Sequence, residues 1–368
     1  MLRIRKGPIL VLGLLLTTVL AIVGCGRQSS LVTAPVSDDG PGGFVLRLSD
    51  PGVQAAIRVQ DSHTPRLMTT PGVVGTAITV DASGRPAILV MTETSMSGRL
   101  PRELDGYTVI EEVTGKIKAL KTTTTVSHTA KQVPPIQLGT SGGSVIDLAN
   151  GYCCSGTLGS LVQKGGAQYI LSNSHVLCGD VVSGGNGKSA ALGDDINQPG
   201  LIDASCSAAN TNLVADLSSL STTYPPASTP NVDCAIAQVR SGMVRTDGAI
   251  LAIGTISAST VAAYVGQPVK KSGRTTGLTR NKVTALNATI SVGYETECAG
   301  TAYTKTYTGQ IVCGRKFISG GDSGSLMVED VTTNPRAVGL LFAGSTTTAI
   351  ANPIGAVLSQ LGATMVGN

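Results

Sequence analysis

The chain has 368 residues, of which 42% are hydrophobic, 14% charged and 3% aromatic, and its formal net charge is +4. The charged fraction lies well below the roughly 25% of an average globular domain, which excludes coiled coils and long solvated helices. The apolar content excludes general disorder, and the mild charge makes nucleic acid an unexpected partner. The length predicts about two domains, and the 46 glycines suit short strands and tight turns.

Residues 1–24 are typical of an export signal. Basic residues precede an apolar run, Pro8–Val23, which is shorter than the about 20 residues of a membrane-spanning helix. The run leads into Cys25 in a sequence that resembles a bacterial lipobox, and this resemblance implies a lipid on that thiol. Residues 25–43 then predict a flexible tether. We expect an exported protein of the bacterial cell envelope, anchored in the membrane only through Cys25, with simple secretion as the alternative. The other cysteines would then meet an oxidising environment.

Residues 44–131 predict a small α/β domain that acts as a pro-segment or a docking module. A weak helix is expected over Val53–Asp61, and the turn Asp81–Gly84 predicts a hairpin. The strands expected here are Gly72–Val80, Pro86–Met91 and Leu104–Ile110. This segment contains no catalytic constellation, and His63 and His128 are expected on the surface because polar residues flank them.

Residues 132–368 predict an all-β domain. Short β-branched runs alternate with turns at intervals of roughly 8–12 residues, which is typical of a sandwich or a barrel. The strands include residues 169–172, 235–239, 283–290 and 338–342. Helical spacing over Asn352–Leu361 predicts a helix that closes the domain.

Three short segments of this domain carry residues suited to nucleophilic catalysis. His175 follows a predicted strand, Asp233 begins another, and Ser323 lies in the glycine-rich turn Ser319–Ser325. At these residues the chain resembles the chymotrypsin-like serine proteases, whose order is His, Asp, Ser and whose nucleophile lies in Gly-Asp-Ser-Gly. The resemblance covers residues 140–365 and implies a double β-barrel.

The chemistry explains why these residue types are needed together. A serine hydroxyl is a weak nucleophile until a base removes its proton, and His175 can do so near neutral pH. A buried Asp233 would orient the imidazole, although Asp216 is a competing candidate. The backbone N–H groups of Gly321 and Ser323 would hold the oxyanion.

A second segment, Ser272–Gly277, resembles the Ser-Gly-Arg-Thr-Thr-Gly sequence of the alpha-lytic protease and streptogrisin group. That resemblance implies that Lys271 pairs with Asp322 and supports the oxyanion turn. The histidine segment also looks like that of plant narrow-leaf trypsin-like proteins. One departure is the strand Leu341–Ser345, which lacks the Ser-Trp-Gly of the family and with it the serine that usually supports the aspartate.

Resemblance implies a disulfide between Cys154 and Cys178 around the histidine loop. Cys206 with Cys234 and Cys298 with Cys313 are then the remaining plausible pairs, which leaves Cys153 over. No metal or cofactor is expected.

The sequence therefore predicts an exported serine endopeptidase that acts on a protein or peptide substrate. One alternative is a non-catalytic surface binding protein on a protease scaffold. The other is an esterase on the same fold. The sequence predicts neither the oligomeric state nor the primary specificity.

Overall fold

The computed structural model describes residues 45–119, 128–149, 152–179, 188–220, 231–294 and 302–368. These residues belong to one compact unit. None of the helices within these ranges is both long and apolar enough to cross a bilayer. The predicted signal and tether, Cys25 and Cys298 lie outside the described residues.

The N-terminal part is a helix packed on a short sheet. Its elements are β1 (Leu46–Arg47), α1 (Pro51–Met68), β2 (Val73–Val80), β3 (Pro86–Thr92), β4 (Glu103–Leu104), β5 (Tyr107–Val113) and β6 (Lys118–Ala119). Helix α1 starts at a proline, whose fixed φ suits the first helical position. It extends beyond the predicted Val53–Asp61 at both ends, whereas the predicted hairpin is confirmed. The strand expected at 104–110 is interrupted because Asp105 and Gly106 have φ angles of 46° and 89° and form a turn.

The next elements form a first barrel. They are β7 (Thr140–Ser144), β8 (Leu148–Ala149), β9 (Tyr152–Cys153), β10 (Gly156–Leu158), β11 (Ser160–Lys164), β12 (Ala167–Ser172), α2 (Ser174–Leu177), β13 (Asp195–Gln198), β14 (Asn212–Leu220) and β15 (Ala235–Val239). The sheet order is β10-β7-β13-β14-β15-β12-β11. Because only Gly159 separates β10 from β11, this order closes into six antiparallel strands around a core that includes Leu161, Ile170 and Val214.

The remaining elements include a second barrel. They are β16 (Ala249–Ile250), β17 (Gly254–Thr255), β18 (Tyr264–Val265), β19 (Pro268–Gly273), β20 (Gly277–Tyr294), β21 (Tyr303–Cys313), β22 (Leu326–Glu329), β23 (Ala337–Gly344), β24 (Ala349–Pro353), α3 (Ile354–Leu361) and β25 (Thr364–Met365). Of these, β16 and β17 form a separate two-stranded sheet, and β25 pairs with β11 of the first barrel. The order β19-β22-β23-β24-β21-β20 closes because β19 also pairs with β20. The all-β double barrel with an α/β N-terminal segment, predicted from the sequence, is therefore confirmed.

The N-terminal segment shares hydrogen bonds with the second barrel. Strand β2 pairs antiparallel with β20, so β3, β5 and β4 extend the same sheet. Gly75 permits this approach, because a Cβ there would lie 2.9 Å from both the Ile290 side chain and the Thr289 carbonyl oxygen. From α1, Gln60 donates a hydrogen bond of 3.0 Å to the carbonyl of Asn287.

Candidate active site

His175 lies in the short helix α2, directly after β12, and is 5% exposed. Hydrogen bonds tie this turn to the start of β15. Asn173 Nδ2 donates to the carbonyl of Asp233 and Ser174 Oγ donates to the carbonyl of Cys234, each over 2.7 Å. Two neighbouring strands of the first barrel therefore bring His175 and Asp233 together.

The carboxylate of Asp233 is fully buried against the imidazole. The distance from His175 Nδ1 to Asp233 Oδ2 is 2.6 Å, and the backbone N–H of Ser174 donates to Oδ1 over 2.7 Å. Burial acts to raise the pKa of Asp233, but the charge and hydrogen bonds of His175 outweigh it and hold this pKa below its ordinary value. The carboxylate is therefore ionised at neutral pH and acts only as an acceptor.

Asp216, the competing candidate for this position, has a different partner. It lies on β14, where its carboxylate accepts hydrogen bonds of 3.2 Å from Arg240 Nε, and Asp195 contacts the same guanidinium. These carboxylates are about 40% exposed. Asp216 thus belongs to a surface ion cluster, whereas Asp233 contacts His175.

Ser323 lies in the turn that leads into β22, in the second barrel. Its carbonyl accepts a hydrogen bond of 2.8 Å from the N–H of Thr157, which ties it to the first barrel. The side chain is fully buried, and its Oγ donates to the carbonyl of Phe342 over 3.1 Å. The Nε2 atom of His175 is buried and, within the described part of the chain, has no hydrogen-bond partner. His175 and Asp233 are thus hydrogen-bonded to each other, while the hydroxyl of Ser323 is hydrogen-bonded to the carbonyl of Phe342.

The peptide between Gly320 and Gly321 has a defined orientation. Thr275 Oγ1 donates to the Gly320 carbonyl over 2.6 Å. Because the C=O and N–H of a trans peptide point in opposite directions, this bond directs the Gly321 N–H away from Thr275. Gly321 has φ +90°, and a Cβ there would lie 2.9 Å from Arg274 Nη1, so the turn requires glycine.

A buried ion pair lies beneath the same turn. Lys271 Nζ is 3.1 Å from Asp322 Oδ2, and both side chains have no exposed surface. Asp322 also accepts from the N–H groups of Thr275 (2.9 Å), Thr276 (3.1 Å) and Ser319 (2.9 Å). Burial lowers the pKa of Lys271, and Asp322 opposes this shift. Both oxygens of the Asp322 carboxylate therefore have hydrogen-bond donors, and the carboxylate links the Ser272–Gly277 segment to the turn that carries Ser323.

His128 is buried beside this ion pair, so the prediction of a surface position is wrong. It is 7% exposed, and its Nε2 lies 3.0 Å from the Oγ of Ser272, next to Lys271. Its polar sequence neighbours gave no signal of this burial, because the partner is 144 residues away. Tyr294, which donates a hydrogen bond of 2.8 Å to Asp233 Oδ2, was likewise missed by sequence reasoning.

The disulfide pattern differs from the predicted one. Cys153 is bonded to Cys206, with 5.5 Å between their Cα atoms, so Cys153 is not left over. Cys154 is also in a disulfide. Cys206 has φ +57° in a tight turn, an unusual backbone conformation that no pattern in the sequence indicated.

Cys178, Cys234 and Cys313 are buried thiols. The predicted pairs Cys154–Cys178, Cys206–Cys234 and Cys298–Cys313 are therefore wrong. Cys178 packs in the core of the first barrel, and burial raises its pKa well above the ordinary value. It behaves as a core side chain because the fold directs it inward, although it follows His175 by only three residues.

No protein-family model matches the chain. Streptogrisin-A of Streptomyces griseus is 33% identical to it over 196 residues, which are 51% of this chain and 60% of streptogrisin-A. The match thus spans less than two thirds of that relative.

Solved structures similar to the chain include three proteases. A glutamic acid-specific serine protease is 21% identical, over 62% of this chain and 100% of its own, with a TM-score of 0.41. Thermobifida fusca protease A is 20% identical, over 63% and 99%, with a TM-score of 0.41. Alpha-lytic protease homolog N4 is 18% identical, over 62% and 98%, with a TM-score of 0.39. The sequence similarity to streptogrisin-A confirms the predicted resemblance to the streptogrisin group of chymotrypsin-like serine proteases.

Proposed function

We propose that the chain is an exported serine endopeptidase in which Ser323 is the nucleophile, His175 the general base and Asp233 the residue that orients the base. The observation that carries this proposal is the buried hydrogen bond of 2.6 Å between His175 Nδ1 and Asp233 Oδ2. This hydrogen bond leaves the other ring nitrogen, Nε2, available to accept the proton of Ser323.

The reaction needs the Ser323 hydroxyl to turn from the Phe342 carbonyl to His175 Nε2. The segments that carry Ser323 and His175 lie close together, because Gly156 packs against both. A Cβ placed on Gly156 would lie 2.9 Å from the Ser323 carbonyl oxygen and 2.9 Å from a methyl group of Val176, the residue after His175. A rotation about the Cα–Cβ bond of serine moves only the hydroxyl and leaves the backbone in place. Hydrogen bonds of this kind often tighten only when substrate binds.

In the first step, Nε2 of His175 takes the proton of Ser323 while the Oγ electron pair forms a bond to the peptide carbonyl carbon. The N–H groups of Gly321 and Ser323 would hold the resulting oxyanion. The imidazolium then gives its proton to the leaving amine, and the C–N bond breaks. Water, activated by the same histidine, hydrolyses the acyl-enzyme and regenerates Ser323.

The proposal includes export directed by residues 1–24 and lipidation of Cys25. The basic and apolar pattern that ends at this cysteine supports it. The Cys153–Cys206 disulfide independently supports export, because such bonds persist in oxidising compartments. The membrane is then a partner only through the lipid.

A fluorophosphonate probe tests the enzyme proposal. We expect it to label the folded protein recovered from the cell envelope, to label Ser319→Ala equally and not to label Ser323→Ala. Ser319 is a matched control, because it lies in the same turn with an exposed side chain. Labelling that persists in Ser323→Ala would contradict the proposed nucleophile. A folded wild-type protein that is never labelled would favour the binding protein, and turnover of esters but not of amides would favour the esterase.

We further infer that residues 44–131 are a pro-segment rather than a docking module. Strand β6 pairs antiparallel with β23, with Ala119 opposite Ala343 and Lys118 opposite Gly344. This edge directly follows Phe342, the residue whose carbonyl accepts the Ser323 hydroxyl. The chain's own backbone therefore occupies a strand edge next to the proposed nucleophile, where an extended peptide could add by the same hydrogen bonds.

Self-processing is the expected consequence. The wild-type chain should be cut within residues 120–131, immediately after β6, so that its catalytic part stays on the lipidated N-terminal part only through strand pairings such as β2 with β20, whereas Ser323→Ala should remain uncut. N-terminal sequencing and intact mass of both proteins check this. An identical, unprocessed N-terminus in an active wild-type protein and in Ser323→Ala would contradict the pro-segment and favour docking.

A further inference from the structure

The Oδ2 atom of Asp233 accepts two hydrogen bonds from opposite barrels. One comes from His175 Nδ1 over 2.6 Å and the other from the hydroxyl of Tyr294 over 2.8 Å. Tyr294 is the last residue of β20 and is 3% exposed. Its ring also stands edge-on to the imidazole, with 5.8 Å between the ring centroids. A single side chain of the second barrel therefore contacts both members of the pair.

A second tyrosine determines the direction of this bond. The hydroxyls of Tyr294 and Tyr307 are 2.7 Å apart, and Tyr307 is fully buried on β21. An ionised carboxylate can only accept, so Tyr294 donates to Asp233 and can accept from Tyr307. Burial, together with the charge of Asp233, raises the pKa of Tyr294, which keeps its proton in place.

The ring of Tyr294 is itself held in place. Tyr303, across the hairpin, stacks on it with 4.6 Å between centroids and an interplanar angle of 12°. Tyr307 packs edge-on against Phe342, with 4.9 Å between centroids. Phe342, on β23, has no hydroxyl, so its side chain cannot donate a hydrogen bond to Asp233. The β20–β21 hairpin supplies it instead.

We infer that Tyr294 is a positioning residue: its hydroxyl holds Asp233 Oδ2 in line with His175 Nδ1. This inference rests on the proposed protease function. Tyr294 would not contact the reacting atoms but would keep the carboxylate from turning away from the imidazole while the ring becomes charged. It thereby links the geometry of the His175–Asp233 pair to the hairpin of the second barrel.

The test is Tyr294→Phe, which removes only the hydroxyl. We expect kcat for a peptide substrate to fall about 10- to 100-fold, the size expected for one lost hydrogen bond to a charged group, while KM changes less than about twofold. In the proton NMR spectrum, the downfield resonance of the His175 Nδ1 proton should shift. Tyr169→Phe, on β12, is the matched control and should change neither. Tyr307→Phe, which keeps the bond from Tyr294 to Asp233, should give a smaller change in the same direction.

A double-mutant cycle separates positioning from a general effect on folding. If Tyr294 acts through Asp233, adding Tyr294→Phe to Asp233→Asn should lower kcat no further. A folded Tyr294→Phe protein with unchanged kcat and an unchanged resonance would overturn the inference, as would fully additive losses in the cycle. A wild-type protein without any turnover would instead refute the proposed function, and the resonance would still decide the role of Tyr294.

Discussion

Replacing His175 with alanine is expected to lower kcat for peptide hydrolysis by about 10⁴- to 10⁶-fold, with a much smaller change in KM. In the proposed mechanism the imidazole accepts the Ser323 proton and returns it to the leaving amine, whereas substrate binding depends on other contacts. Because His175→Ala would not process itself, it is first cut by added wild-type enzyme, which is then removed. Steady-state kinetics of the two processed proteins at equal protein concentration measures this loss.

The two candidate aspartates offer a matched control for the same site. Asp233→Asn should lower kcat about 10⁴-fold, because the amide favours the wrong imidazole tautomer and cannot stabilise the imidazolium. Asp216→Asn should leave kcat within about twofold, since that carboxylate bonds to Arg240 near the surface. Equal effects of the two substitutions would contradict the proposed role of Asp233.

Replacing Lys271 with methionine should reduce the free energy of unfolding by about 3–5 kcal/mol. The substitution keeps the length of the side chain but leaves the carboxylate of Asp322 buried without its counter-charge. Because Asp322 also ties the turn of Ser323 to Thr275 and Thr276, kcat should fall as well. Urea denaturation of variants made in a Ser323→Ala background avoids self-digestion during the measurement.

Two further variants make this result specific. Lys282→Met removes an exposed lysine from β20, the strand paired with β19, and should change stability by less than about 0.5 kcal/mol. Adding Asp322→Asn to Lys271→Met removes the unpaired charge and should restore part of the lost stability. A loss below about 1 kcal/mol in Lys271→Met would show that the ion pair does not hold the turn.

The strands, the helix and the site segments that could be predicted are those marked by a pattern within a few neighbouring residues. Alternation of β-branched residues and turns indicated β12, β15 and β23, because the side chains of a strand alternate between two faces within a few residues. The segments around His175, Asp233 and Ser323 could likewise be found, because each is short and has a distinctive composition. Helix α3 was indicated by its apolar spacing, and Gly362, which has φ +61°, directly follows its last residue.

Contacts between distant residues explain what could not be predicted. The hydroxyl of Tyr294 reaches Asp233 across 61 positions, and His128 meets Ser272 across 144. The bond between Cys153 and Cys206 likewise follows from barrel geometry, because a disulfide needs Cα atoms within about 7 Å and sequence spacing does not report that distance.

The sequence by itself determined a weakly charged β protein with histidine, aspartate and serine segments in the order of a protease family, and it predicts export. These features are properties of composition and of short motifs. Only the tertiary structure decided which carboxylate meets His175, which cysteines pair, that Tyr294 supplies a donor to Asp233 and that β6 lies beside β23. The physical reason is that both barrels must close before residues from distant strands come within hydrogen-bonding distance, and closure depends on the whole set of strand pairings rather than on any one segment.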